Sequence, residues 1–311
     1  MSDLHDLYAA FRQIGEDPAP ILAPDTAHLV AQGQRLVSRQ SIPGVRIEAE
    51  SGEAGILARV EVAAGLVIPR PVHLCFGIFE PCGDQNVALV ISLGSGSRAE
   101  FWSHCLFTLP ERARHAMDAR VDLLPGARLD YREAHFHGLS GGIEVVARAR
   151  VRVGEGARYR ADFTLVQGRV GRLDLDYEVE VGTRASAELL SKVYGRMTDE
   201  IAIREGVRLN GEGARGLVKS RVAVEDEAQA RIIGATYGNA AGARGHVDCL
   251  EIVRDRAVAS AVPEVRVSHP QAKVTHEAAI GSVDERQVDA LMARGLSPAE
   301  AVDRIVLGML G

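Results

Sequence analysis

Gly126-Ala127-Arg128, Gly156-Ala157-Arg158, Gly213-Ala214-Arg215 and Gly242-Ala243-Arg244 repeat one tripeptide along the chain. Thr183-Arg184-Ala185 and Gln271-Ala272-Lys273 are close variants, and Ala99 extends the series toward the N-terminus. The alanines Ala99, Ala127, Ala157, Ala185, Ala214, Ala243 and Ala272 follow one another at intervals of 28, 30, 28, 29, 29 and 29. A fixed period with one small residue per unit is the signature of a solenoid, because each unit buries its apolar face only by stacking on the next. Ala228 falls half a period after Ala214, and Ala257 half a period after Ala243, which divides each unit into two strand–turn halves. Between the corners lie β-rich runs such as 87–91 and 143–151; residues 173–181 alternate apolar and acidic, so one face is wet. These features predict a mainly β fold. It is a right-handed β-helix of about 29 residues per turn over residues 46–281, with the small alanine where a corner packs tightly.

The flanks differ. Residues 1–45 are expected to be an N-terminal helical segment. Leu4, Leu7, Tyr8, Phe11 and Ile14 share one face of a helix over 2–15, Pro18 and Pro20 break it, and a second short helix is expected over 25–40. Residues 282–311 form a C-terminal helical region. Val288, Leu291 and Met292 share a helix face that ends at Gly295, and Ser297-Pro298-Ala299-Glu300 is a capping box for a last helix carrying Val302, Ile305, Val306 and Met309.

The 311 residues are 46% hydrophobic and 25% charged, the balance of a soluble folded protein. A net charge of −6 gives no footing for nucleic acid, and 5% aromatics with a single tryptophan, Trp102, is thin for stacking on bases or sugars. Cys75, Cys82, Cys105 and Cys249 are too few for a disulfide-stapled fold and are expected as reduced thiols. No run approaches the roughly 18 apolar residues of a membrane span. The N-terminus has no basic start or apolar stretch of an export signal, so a cytoplasmic protein is expected. No Gly-rich loop precedes Lys-Ser or Lys-Thr, so the chain is not expected to bind ATP itself.

The period also carries chemistry. One turn beyond Cys249 is residue 278, and His276 lies two residues before it, on the same strand face. Strand spacing and rise put their α-carbons roughly 8 Å apart, within reach of a shared metal. Glu277 falls on the other face if the strand is regular. Thiolate, imidazole and carboxylate suit iron or zinc. One cysteine per chain cannot complete an iron–sulfur cluster, whereas a symmetric pair of chains supplies two cysteines and two histidines. Glu133, His135 and His137 share a second strand face at period two, as metal ligands or in a surface or interface role. Cys75, Cys82 and Cys105 are expected as buried structural thiols.

The stretches Cys249–Asp255, Val262-Pro263-Glu264, His269–Ala279, Asp284–Gln287, Leu291–Ser297 and Glu300-Ala301 resemble the SufB/SufD family of iron–sulfur assembly scaffolds. The similarity is close over residues 245–310 and weaker over 70–245, and the chain looks like a compact single-subunit form. The resemblance implies a non-enzymatic scaffold with a transient iron–sulfur cluster and a homodimer between β-helix cores. It implies a C-terminal helical region that docks a SufC-like ABC ATPase, and acceptor apoproteins as further partners. It also implies that Cys249, His276 and Glu277 lie where the nascent cluster forms. The chain departs from longer bacterial members in having no CxxC motif and no cysteine between Cys105 and Cys249. A SufD-like structural partner without its own cluster is the alternative. A β-helix enzyme acting on polysaccharide is opposed by the low aromatic content and the lack of a catalytic carboxylate pair at a defensible spacing.

Overall fold

The computed structural model describes residues 2–15 and 17–310, with side chains from residue 7 onward except that of residue 299. The expectation for Leu4 therefore lies outside the described side chains. Among the described residues, two sheets of ten and nine strands run the length of the core. The chain alternates between them. Arg98–Phe107 lies in the first sheet, Arg112–Leu123 in the second, Arg128–His137 in the first again, and so on to Lys273–Gly281. Equivalent residues of successive turns pair in parallel: Arg158 with Ser186, Ser186 with Arg215, Arg215 with Arg244 and Arg244 with Lys273. The fold is thus a β-solenoid with the period of the alanine series.

Alternation along each strand sorts side chains between the interior and solvent. In Arg172–Val181, Leu173, Leu175, Tyr177, Val179 and Val181 are buried, while Asp174, Asp176 and Glu178 lie on the outer face. That face carries cross-turn ion pairs such as Arg148 with Asp174 at 2.7 Å and Arg208 with Glu178 at 2.6 Å. Partly exposed pairs of this kind contribute little individually; stability comes from the continuous apolar interior.

The corners explain the tripeptide. The N–H groups of Ala127, Ala157, Ala214 and Ala243 donate to the carbonyls of Leu124, Gly154, Gly211 and Ala240 at 3.0–3.2 Å. The residue before each alanine has positive φ: Gly126 at 72°, Gly156 at 63°, Gly213 at 66° and Gly242 at 67°. Glycine recurs there because a Cβ is disfavoured in that conformation; Arg184, at φ 54°, holds the same corner with one. The N–H of the positive-φ residue then bonds across to the next turn, as from Gly126 to Glu155 at 2.8 Å. The alanine side chains point inward and are 0–1% exposed at positions 127, 157, 185, 214 and 243.

Ala99 does not belong to this series. Arg98 pairs with Arg128 and Ala99 with Leu129, so the corner residue of that turn is Ser97. Ser97 is fully buried, and its hydroxyl donates to the Gly94 carbonyl at 2.7 Å. The true interval therefore runs from Ser97 to Ala127 and equals that from Ala127 to Ala157. At the opposite corner Ala228 and Ala257 are equivalent, as the half-period echo predicts, and Asp199 takes the same place one turn earlier. Its buried carboxylate accepts from Arg169 at 3.0 Å and from the backbone of Gly171 and Arg196.

The second helix expected over 25–40 is instead an antiparallel hairpin, His28–Gln32 with Arg35–Gln40. The apolar spacing there suits either element. Parallel pairing of His28–Gln32 with Val72–Gly77 claims its backbone for the sheet, and Gly33 turns the hairpin at φ 52°. The helix Ser2–Gln13 buries Leu7, Ala10 and Phe11 against Val30, Cys75 and Leu106 on the outer face of the first sheet. Cys75 and Cys105 are buried, but Cys82 is exposed at the start of its strand, contrary to expectation.

At the other end the helices Glu285–Met292 and Pro298–Leu310 fold back onto the solenoid's flank. Val302, Val306 and Leu310 pack on Tyr194, Ala223 and Ile252. The capping box forms: Glu300 accepts from the Ser297 backbone N–H at 2.8 Å and from its hydroxyl at 2.7 Å. The last strands, Val258–Val267 and Lys273–Gly281, have no further turn upon them. Val265, Val267 and Ile280 are 40%, 49% and 51% exposed at positions that continue the inward face. No helix among the described residues is long and apolar enough to cross a membrane.

Two outcomes test this account. Ala214→Leu should lower the unfolding free energy by about 1–3 kcal/mol in urea melts, by overpacking the corner, whereas Ser97→Ala should shift it by less than about 1 kcal/mol. Glu205 is buried and accepts from Ser191 at 3.1 Å, and desolvation raises its carboxyl to about 8. A raised folded-state value gives stability that is fully present below the ordinary value of 4.5 and is lost as pH rises through about 8. The melting temperature should therefore fall between pH 5 and pH 9, and Glu205→Gln should flatten that dependence.

Candidate functional site

The register places the residues at the open end as the period predicts. Val247 pairs with His276, Cys249 with Ala278 and Asp248 with Glu277, with no shift along the strand pair. Cys249 and His276 thus share the inward face, one strand apart and offset by two residues. Their surroundings differ. Cys249 is 1% exposed. Gly234 of the facing sheet makes room for it: a Cβ there would stand 2.6 Å from Val247 Cγ1 and 3.4 Å from the Cys249 sulfur. Burial, with Ser220 opposing it, raises the thiol to about 11, so the group is protonated at neutral pH. His276 lies on the last strand and is exposed.

Glu277 is on the opposite, outer face, beside Asp248. Arg221 holds Asp248 at 2.6 Å and keeps its carboxyl below the ordinary range. Cys249, His276 and Glu277 do not gather into one metal-sized group among the described residues of a single chain. Two neighbours of Cys249 escaped the sequence analysis. Glu251 is buried on the same inward face and accepts from Ser220 at 3.3 Å; burial raises its carboxyl to about 7. Ser220 pairs directly with Cys249 across the strands. Both could have been found by stepping two residues, or one period, from Cys249.

The second sequence candidate is neither a surface nor an interface group. Glu133, His135 and His137 all point into the solenoid and are buried. His135 Nε2 lies 2.9 Å from Glu133 Oε1, and His137 Nε2 lies 3.4 Å from His135 Nδ1. Tyr177 donates to Glu133 Oε2 at 2.8 Å. Cys105 pairs with His135 across the strands. Ligand atoms of Cys105, Glu133 and His135 lie within 4.8 Å of one another, the one such group among the described residues. His115, from the second sheet, points its Nε2 at the Cys105 sulfur from 3.9 Å. Here the structure adds Cys105 and His115 to the residues singled out in sequence.

Residues 82–309 match the family model described as SUF system FeS cluster assembly, SufBD core domain. An iron–sulfur cluster assembly SufBD family protein of Methanocaldococcus jannaschii is 34% identical over 309 residues, covering 99% of this chain and 98% of that protein. One from Pyrococcus horikoshii is 35% identical over 285 residues, covering 92% of this chain and 87% of its own length. A second, longer Pyrococcus horikoshii relative is 28% identical over 262 residues, 56% of its length. The matched span includes the open end of the solenoid, the buried Cys105 group and the C-terminal helices, and the chain belongs to the SufB/SufD family of iron–sulfur cluster assembly proteins.

Proposed function

We propose that this chain is a scaffold subunit, not an enzyme, on which iron–sulfur clusters are assembled and from which they pass to acceptor apoproteins. It works as a homodimer with a SufC-like ABC ATPase. The observation that carries the reading is the position of Cys249 and His276 on one inward face at the uncovered end of the solenoid. Two long edge strands with unpaired backbone and exposed Val265, Val267 and Ile280 call for a covering partner. A second copy meeting this end supplies the second thiol and imidazole that one chain lacks. Glu277, on the outer face of the same edge strand, completes the ligand set where the copies meet. Met292 and Leu307, 40% and 45% exposed on the C-terminal helices, offer an apolar surface to the ATPase.

The burial of Cys249 gives weight to the second reading, a SufD-like partner without its own cluster. A thiol raised to about 11 must lose its proton before it can ligate iron. In the scaffold reading the cluster is cargo, and incoming iron displaces that proton.

Anaerobic reconstitution with ferrous iron and sulfide should give a coloured dimer. Cys249→Ser should lose most of the bound cluster, and His276→Ala should release it faster. Reconstitution of Cys249→Ser to the parental level would remove Cys249 from the ligand set. A colourless parent that still binds a SufC-like ATPase and a SufB-like paralogue would establish the structural role. A thiol reagent applied to the native protein without iron should label Cys82, the exposed one of the four cysteines, well before Cys249.

A further inference from the structure

The buried polar group around Cys105 is anchored at both ends by backbone carbonyls. At one end, Gln85 Nε2 donates to the Gly33 carbonyl at 2.8 Å. Its Oε1 is therefore the atom facing His115 Nδ1 at 2.9 Å, and His115 must donate from Nδ1. Its Nε2 faces the Cys105 sulfur at 3.9 Å. At the other end, His137 Nδ1 lies 3.1 Å from the Arg169 carbonyl, which can only accept. His137 Nδ1 therefore carries a proton and donates to that carbonyl. Its Nε2 faces His135 Nδ1 at 3.4 Å.

The two chains of partners converge on Cys105 and Glu133. His135 turns its Nε2 toward Glu133 Oε1, 2.9 Å away. Glu133 Oε2 is occupied by the Tyr177 hydroxyl. An imidazole nitrogen and a carboxylate oxygen thus meet beside a thiol in a buried site, and together these three offer the donor set of a cation site.

We propose that Cys105, His115, Glu133 and His135 hold a divalent d-block cation of the zinc or ferrous class inside the solenoid, with four protein ligands. The donor types fit. Tetrahedral zinc bond lengths place ligand atoms about 3.4–3.6 Å apart. The His135–Glu133 distance of 2.9 Å would open slightly, and the His115 ring, 3.9 Å from the Cys105 sulfur but outside the 4.8 Å group of the other three, would move in toward them. Both histidines are oriented through Nδ1 by a further partner, Gln85 for one and His137 for the other, the arrangement that fixes tautomer and ring plane in metal-binding histidines. His137 is thus a positioning residue and not a ligand. Binding releases the thiol proton, and thiolate plus carboxylate balance the dication's charge. Four protein ligands and complete burial make this a closed structural site that ties the first sheet to the second. It is independent of cluster assembly at Cys249.

An extra proton shared by His135 and Glu133 is the competing cation, and cobalt separates the two. Intact protein is produced in cobalt-supplemented minimal medium, and its cobalt content and absorption spectrum are measured without adding sulfide. The expected result is about one cobalt per chain with a thiolate-to-cobalt charge-transfer band. That band should remain in Cys249→Ser and disappear in Cys105→Ser. Glu133→Gln and His115→Gln should each lower retention at least about tenfold on dialysis against a chelator. Folding of each variant is checked by circular dichroism; if Cys105→Ser does not fold, the paired result of His115→Gln and Cys249→Ser decides. Cobalt-free parent protein, or a band that survives Cys105→Ser and is lost in Cys249→Ser, would overturn the proposal.

Discussion

Parallel pairing between equivalent residues of successive turns is the constraint on which the rest of this molecule depends. Each strand takes its hydrogen-bond partners one period away, so a change of register by one residue would move every inward side chain to the outside. The corners hold that register. Each is a tight turn with a positive-φ residue, followed by a small buried residue whose N–H closes the turn. The positive-φ residue's own N–H reaches the next turn and ties each corner to its neighbour. Where the buried residue is serine, as at Ser97, the hydroxyl satisfies itself on a corner carbonyl. Where it is Asp199, an arginine and two backbone N–H groups neutralise it.

A solenoid built this way has ends that differ from its middle. At the N-terminal end, hairpins and a helix close the sheets and their flank. At the C-terminal end the helices turn aside onto the flank and leave the last two strands open. At this end the interior meets the surface, where the line of Ser220, Cys249 and the following strand reaches His276. The proposed cluster chemistry would find a protected thiol and an accessible imidazole together there. The Cys105 group is the opposite case, closed on all sides, where polar side chains persist only because they satisfy one another or bind a cation.

The repeat makes the strand neighbours of Cys249 calculable from the sequence. Counting one period on from Cys249 gives the correct strand pairing and the correct faces for His276 and Glu277. The same count applied to Cys105 goes astray, because Ala99 stands in for Ser97. An interval of 28 sets Cys105 opposite Glu133, whereas the true 30 sets it opposite His135. Both residues belong to the cluster, so the signal is present and the register hides it. The hairpin at His28–Gln40 is hidden for a different reason: its apolar spacing suits a helix as well as a strand, and only pairing with Val72–Gly77 decides.

The sequence by itself determined the solenoid, its period, the capped C-terminal helix and the neighbourhood of Cys249 and His276. These follow from local rules, namely the spacing of small residues, the alternation of apolar residues and the chemistry of turns. Only the tertiary structure decided which thiols are sheltered, that Cys249 is protonated beneath Gly234, and that His115 from the opposite sheet completes the group around Cys105. Those depend on contacts between the two sheets. The repeat fixes neighbours along each sheet, but which inward side chains meet across the interior depends on how the sheets face each other, and that distance is set by packing.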